Sequence, residues 1–454
     1  MKSTEITLNG RRVAIAGEDP AESLLRWLNR HRWTGTKEGC ADGDCGACTV
    51  AIVDTTGAAP RWRAVNSCLV PMGVMPGREV LTVEALADGD TLHPVQQAMV
   101  DTAGSQCGYC TPGFVMSLFA GWCHGELGDD AIEGNLCRCT GYAPIRHAAE
   151  RLKSVAANDR FVAGPREPHA PLASASLDRF HNPATIEEAL ALRAAHPEAH
   201  WLAGGTDVGV ELSHGRGTER AFIALDRIAA LRGIAVGAES VRIGAGVPLT
   251  LVERELAGIF PALDDMLPWF AARQVRNRAT FGGNLGTASP IGDLSPVLLA
   301  LEATVELRGP RGTRTVPIEK FFTSYRTTLR TPDELIVAVE IPRRPELVQG
   351  SYKVAKRQTD DISIVAGSFA IALGDRRTVK QARLAYGGVA ATPLRATRTE
   401  ALLLDQRLTP ELVDAARVAL EGEFTPLDDH RSGADYRRRL AGNLFAKFVA
   451  ERCA

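Results

Sequence analysis

Apolar and polar residues alternate in the first seventeen positions, where EITLNG and RRVAIAG flank Asn9-Gly10 and predict two strands joined by a tight turn. PAESLLRWLNR then brings Leu24, Leu25 and Leu28 to one helical face, with Pro20 at the predicted helix start. TVAIV and EVLTVEAL return to strand character. From Thr91 the period turns helical: HPVQQAMVDTAG, TPGFVMSLFAGWC and GYAPIRHAAERLKSVA are apolar at helical spacing. Thr111-Pro112 predicts an N-cap followed by proline at the first helical position, so this second stretch reads as a small four-helix unit.

AGPREPHAPLASAS, at 163 to 176, has no period and is rich in Pro, Ala and Ser, which predicts a linker over 161–177. Beyond it the pattern is mixed. IEEALALRAAHP predicts a helix, HWLAGGTDVGVEL a strand entering a glycine turn, and VELRGPRGTRTVPI a hairpin. Strands near FAIAL and ARLAYGGV precede a helical tail, and no internal repeat is present. The expected divisions are 1–86, ferredoxin-like; 87–160, helical; 178–346, mixed α/β; and 347–454, α+β.

At 454 residues and 45% apolar content the chain is long enough for several cores, about three domains by length alone. A formal charge of -2 leaves no basic footprint, which argues against nucleic acid and anionic membrane as partners. Arg437, Arg438 and Arg439 read as a solvated face. The N-terminus has no apolar signal region, and no window of about 18 apolar residues occurs, so the chain reads as cytosolic. Ten cysteines in a reducing compartment then call for metal, catalysis or core packing rather than disulfides.

Cys40, Cys45 and Cys48 follow the spacing C-x4-C-x2-C with Cys68 downstream, the plant-type [2Fe-2S] pattern. Gly39, Gly43 and Gly46 would let backbone N–H groups approach the sulfurs. Cys107, Cys110, Cys137 and Cys139 form C-x2-C and C-x-C pairs at two helix starts, read as a second [2Fe-2S] site. Zinc or packed thiols are the alternative for both groups. Cys123 and Cys453 read as ordinary thiols. Two glycine-bearing loops complete the candidate chemistry. LAGGTDVG, at 202 to 209, ends a strand in a diglycine turn able to cradle a pyrophosphate, yet lacks the G-x-G-x-x-G spacing of a Rossmann site. ATFGGNLGTASPIGDLSP, at 279 to 296, offers Asn284, Thr287, Ser289 and Asp293 as donors and acceptors for phosphate and ribitol.

EGCADGDCGACTV, QCGYCTPG and NLCRCTGY resemble the iron–sulfur and flavin subunits of molybdenum hydroxylases of the xanthine dehydrogenase type, and later motifs extend the resemblance to nearly the whole chain. It implies a multidomain α+β fold: a plant-type [2Fe-2S] β-grasp domain, a four-helix [2Fe-2S] domain, a vanillyl-alcohol-oxidase-like FAD-binding α/β domain and a C-terminal flavoprotein domain. It further implies that Leu202, Ala203, Gly204, Gly205, Thr206, Asp207, Val208, Asn284, Thr287, Ser289 and Asp293 contact FAD. Phe270 would pack on the isoalloxazine ring, and Ile336 and Lys353 would be flavin contacts. Asp360, in KVAKRQTDDISIV, would lie beside the flavin near the NAD+ approach, where a carboxylate disfavours an anionic reduced flavin; surface solvation is the alternative. Gln106 and Cys139 would lie near the pterin of a molybdenum cofactor held by a partner subunit. Gly292 and Gln358 depart from the family pattern.

The resemblance implies an oxidoreductase subunit in which two [2Fe-2S] clusters and FAD carry electrons to NAD+. A partner large subunit with the molybdenum–molybdopterin cofactor would oxidise hypoxanthine or xanthine, in a heterotetramer of two chains of each kind. The competing readings are a partner acting on an aldehyde or N-heterocycle with oxygen or a quinone as acceptor, and a non-catalytic redox carrier or zinc-stabilised interaction module.

Overall fold

The computed structural model describes residues 4–55, 60–152, 159–161, 172–357 and 359–453. The chain divides into two compact units, 1–230 with 272–279, and 231–271 with 280–454. That boundary runs through the stretch 178–346.

In the first unit, β1 (Glu5–Leu8) and β2 (Arg11–Ala14) pair antiparallel about a turn in which Asn9 and Gly10 have φ of 52° and 77°. Two successive positive φ values match the right-handed twist of a hairpin, which is why Asn-Gly works there. α1 (Leu24–Arg30) starts four residues after Pro20. Ser23, not the proline, caps it by accepting from the Arg26 amide. β3 (Thr49–Asp54), β4 (Arg61–Asn66) and β5 (Glu79–Leu81) complete a five-stranded sheet of order β2-β1-β5-β3-β4, with β1 and β5 parallel. EVLTVEAL is thus only partly strand, because its second half turns into the 3-10 segment Val83–Ala85.

Three α-helices follow among the described residues, α2 (Pro94–Asp101), α3 (Thr111–Trp122) and α4 (Ala143–Arg151), with a 3-10 turn at Asp129–Ala131, where four helices were expected. Cys110 occupies the N-cap of α3. Thr111 is its first residue, and its hydroxyl donates to Ser105 rather than capping. Most of the expected linker, 162–171, lies outside the described residues. Its last part does not behave as a linker, because Ala175–Leu177 forms a strand paired with Phe180–Asn182. These two join His200–Leu202 and Phe222–Ala224 in a four-stranded sheet, with the expected helix at Ile186–Ala195.

The second unit contains an antiparallel five-stranded sheet built from Ile234–Val236, Ser240–Gly244, Leu335–Pro342, Thr304–Gly309 and Gly312–Pro317, in that spatial order. The last two strands are the predicted hairpin. A four-stranded antiparallel sheet, Leu347–Val354, Val365–Leu373, Val379–Gly387 and Leu394–Arg395, packs on the C-terminal helix Ala434–Arg452, Phe369 against Phe445 and Phe448 and the Tyr386 hydroxyl donating to the Ala441 carbonyl. Within that helix Arg437 is 2% exposed, which overturns its reading as a solvated residue. Its guanidinium meets both Asp429 carboxylate oxygens at 2.8 Å and donates to the carbonyls of Ile364 and Gly388. A buried charge is tolerated only when so paired. Among the described residues no helix is long and apolar enough to cross a membrane.

Candidate functional site

Cys40, Cys45 and Cys48 lie on the loop between α1 and β3, and Cys68 on the 3-10 turn Ser67–Leu69 that ends β4. The antiparallel register sets Thr49 opposite Asn66, so the residues just outside the two strands meet, and the Cys48 and Cys68 sulfurs stand 3.4 Å apart. Cys40 and Cys45 form a second pair. Each donates its amide to the other's sulfur at 3.3 Å, and the Asp42 amide points at Cys40 Sγ at 3.4 Å. A Cβ on Gly39 would fall 2.6 Å from Cys45 Sγ, so glycine there is what lets the backbone close on the sulfur.

In the second group Cys107 and Cys110 precede α3, and Cys137 and Cys139 precede α4. Here too the thiols pair, Cys107 with Cys139 and Cys110 with Cys137. The Thr140 hydroxyl and amide approach Cys137 Sγ at 3.1 and 3.4 Å, and the Tyr142 hydroxyl accepts from the Cys137 amide. In each of the four pairs one sulfur is drawn toward thiolate and the other held protonated. Cys40 is pulled down to about 5 by the Cys45 thiol and by backbone amides. Cys48 is lowered by the Cys68 thiol, and Cys107 by the Tyr109 amide and then the Cys139 thiol. Burial opposes ionisation of Cys137, but the Thr140 contacts prevail and lower it.

Thiolates are what a metal needs as ligands. Among the described residues no three His, Cys, Asp or Glu side chains converge as around a single ion. Two thiol pairs per group suit a dinuclear cluster, in which each iron takes two cysteines, better than one tetrahedral zinc. The groups also touch through the backbone. The Leu136 amide, next to Cys137, donates to the Cys45 carbonyl at 3.0 Å. Cys123 and Cys453 are buried and outside both groups, and burial pushes the Cys453 thiol up to about 11.

The diglycine turn lies in the same unit. Leu202 ends its strand 1% exposed, and a Cβ on Gly204 would fall 1.7 Å from the Arg278 carbonyl, so no other residue fits. Gly205 has φ of 77°, a conformation open to glycine. Ala203, Thr206 and Asp207 continue the turn into the helix Val208–Ser213. That helix packs on the Cys68 turn so closely that a Cβ on Gly209 would meet the Leu69 carbonyl at 2.3 Å. His214, just past the helix, places Nε2 2.5 Å from Asp42 Oδ1 in the first cysteine loop.

In the second unit Asn284 and Thr287 share the helix Phe281–Thr287, which the Thr280 hydroxyl caps by accepting from the Gly283 amide. Asn284 Oδ1 is buried with no hydrogen-bond partner among the described residues, an acceptor open to a donor. Gly292 leaves space beside it, since a Cβ there would lie 3.7 Å away. Ser289 Oγ accepts from the Ile291 amide, and the Thr287 hydroxyl donates to Gly283. Asp293 accepts from the Ser363 hydroxyl at 2.5 Å and from Lys353 Nζ at 2.7 Å. Lys353 also donates to the carbonyl of Trp269, the residue before half-buried Phe270. This ion pair is nearly closed to solvent, so both side chains first hold each other and the Phe270 turn. Ile336 is buried opposite Leu307 in the five-stranded sheet. Asp360 has φ of 52° and accepts from Arg357 through its carbonyl, while Gln358 lies outside the described residues. Gln106 and Cys139 are exposed.

Four family models match in succession: a 2Fe-2S iron-sulfur cluster binding domain at 6–73, a [2Fe-2S] binding domain at 82–150, the FAD binding domain in molybdopterin dehydrogenase at 175–344, and the CO dehydrogenase flavoprotein C-terminal domain at 350–452. The xanthine dehydrogenase of Emericella nidulans is 32% identical over 97% of this chain, and the xanthine dehydrogenase/oxidase of Mus musculus likewise. The chain spans 38% of the length of each. Among solved structures, a carbon monoxide dehydrogenase chain from Hydrogenophaga pseudoflava matches with a TM-score of 0.57 and 30% identity, over 60% of this chain and 96% of that one. One from Oligotropha carboxidovorans matches at 27% identity with the same score and coverage.

Proposed function

Since the chain belongs to the iron–sulfur and FAD subunits of the molybdenum hydroxylase family, we propose that it is the electron-transfer subunit of a xanthine dehydrogenase, delivering electrons from purine oxidation to NAD+. Cys40, Cys45, Cys48 and Cys68 would hold one [2Fe-2S] cluster, and Cys107, Cys110, Cys137 and Cys139 the other. Residues 202–208, Asn284, Thr287, Ser289, Asp293, Ile336 and Lys353 would contact FAD, with Phe270 against its ring. When bound, clusters supply one-electron transfer and FAD converts two such transfers into a hydride for NAD+. The chain's own residues do the placing. Backbone amides aim at the sulfurs, the Lys353–Asp293 pair holds the Phe270 turn, and Asp360 would sit where NAD+ approaches.

The observation that carries this reading is the arrangement of eight cysteines as two groups of two thiol pairs, the groups in contact at Cys45 and Leu136. The exposed second group, with Gln106 and Cys139, would face the pterin of a molybdenum-bearing large subunit, two copies of each chain making a heterotetramer. Substrate hydroxylation would occur on that partner. A second reading, in which the partner oxidises another substrate and the flavin serves oxygen or a quinone, draws on the likeness to carbon monoxide dehydrogenases. Anaerobic NADH added to the purified complex decides between them. Flavin bleaching with two distinct [2Fe-2S] EPR signals is expected; signals given by dithionite but not NADH would remove NAD+, and zinc without signals would overturn the proposal.

A further inference from the structure

Residues 272–279 leave the flavin-binding stretch and pack within the iron–sulfur unit. Gln274, on the short helix Arg273–Arg276, is 2% exposed and donates through Nε2 to Ser117 Oγ and to Asn135 Oδ1, both at 3.0 Å. Ser117, in α3, donates to the same Asn135 oxygen at 2.7 Å. Asn135 Oδ1 therefore has both acceptor positions filled, which turns its Nδ2 toward the Gly46 carbonyl at 2.9 Å. Rotating the Asn135 amide by half a turn would set its N–H groups against the Gln274 donor. The Gln274 amide thus decides which way Asn135 faces.

Asn135 immediately precedes Leu136, whose amide reaches the Cys45 carbonyl, and Gly46 immediately follows Cys45. The backbones are in extreme proximity. A Cβ on Gly46 would meet the Gly134 carbonyl at 2.1 Å, one on Gly113 the Gly46 carbonyl at 2.3 Å, and one on Gly134 the Gln274 side-chain oxygen at 2.0 Å. That oxygen is buried without a hydrogen-bond partner among the described residues. An apolar side chain would fill the same space without stranding a polar atom, so the glutamine is suited to orienting Asn135 rather than to packing.

We infer that Gln274 is a positioning residue: through Asn135 and Ser117 it holds the Cys45 carbonyl on the Leu136 amide and so sets the spacing of the two cysteine groups. The inference rests on the proposed [2Fe-2S] content of both groups. Its consequence is that a segment beginning two residues after Phe270 governs how the two clusters sense each other.

The test uses the full-length purified chain with its clusters, as wild type, Gln274→Met and Ser117→Ala. Potentiometric low-temperature EPR and hydrogen exchange at the Leu136 amide are recorded for each. In Gln274→Met we expect loss of the magnetic interaction between the two signals, a shifted midpoint potential for at least one cluster, and faster Leu136 exchange. Ser117→Ala, which removes one of two donors to Asn135, should give the same changes at smaller size. Unchanged interaction, potentials and exchange in Gln274→Met would overturn the inference. If Gln274→Met does not fold, Ser117→Ala with wild-type values does so instead. Two signals absent from the wild type itself would count against the proposed cluster content, not against the role of Gln274.

Discussion

The two cysteine groups each bring four thiols to what we read as the same chemistry, and in each group two sulfurs are half-buried, but the other two differ in their surroundings. Cys48 and Cys68 are 2% and 1% exposed and belong to an apolar cluster with Leu25 and Leu69. Cys107 and Cys139 are open to solvent, flanked by the exposed Tyr109 and Leu136. The difference teaches that at Cys48 and Cys68 ligation and core packing are one task, whereas Cys107 and Cys139 sit at the surface while Cys110 and Cys137 pack against the helical core. The diglycine turn extends the contrast, because its helix leans on the Cys68 turn.

Replacing one ligand from each group breaks the comparison most directly. Cys68→Ser should lose half of the chain's iron and also destabilise the fold by roughly 1–3 kcal/mol, because a hydroxyl replaces a buried thiol. Cys107→Ser should lose a similar share of iron with an unchanged unfolding transition. Iron analysis alongside chemical denaturation checks both; equal stability of the two variants would refute the contrast.

Gly209→Ala tests the link to the glycine turn. The new methyl meets the Leu69 backbone, an overpacking expected to cost about 1–3 kcal/mol, and EPR should show a perturbed first-group signal beside an unaltered second one. A change confined to the second signal would contradict the packing.

Acid should expose a different weakness in the helical half. Burial pushes His124 down to about 4, helped by nearby Arg61, and lowers His93 against the pull of Asp159. Both are favoured neutral in the folded state, so the unfolded chain takes up protons first as pH falls below about 6.5, and stability declines from there toward about 4. For the partly exposed His124, solvent screening holds the loss to on the order of 1–2 kcal/mol. His124→Gln should flatten that part of the pH–stability curve measured by denaturant unfolding.

The smallest effect is purely one of access. In the chain stripped of metal, brief alkylation followed by mass spectrometry should label Cys107 and Cys139 well before Cys48 and Cys68, without altering the fold. Equal labelling would mean that the first group opens as easily as the second.

The cysteine spacing, the Asn9-Gly10 hairpin, the 305–318 hairpin and the helical period after Thr91 were all legible in the order of residues, because each depends on neighbours a few positions apart. Local signals misled where a distant partner competes. Thr111 looked like a cap, but Ser105 takes its hydroxyl, and Arg437 looked solvated until Asp429 and two carbonyls enclosed it. Nothing in the sequence marked Asn135, Ser117 or Gln274, which lie 18 and 139 residues apart and acquire meaning only as one buried network. Sequence by itself marked the candidate ligands and the two glycine-bearing loops. Tertiary structure alone decided how the thiols pair, which of them are enclosed, and that a segment of the flavin-binding stretch is built into the iron–sulfur unit. Hydrogen bonds and close backbone contacts between distant segments exist only once the chain has packed.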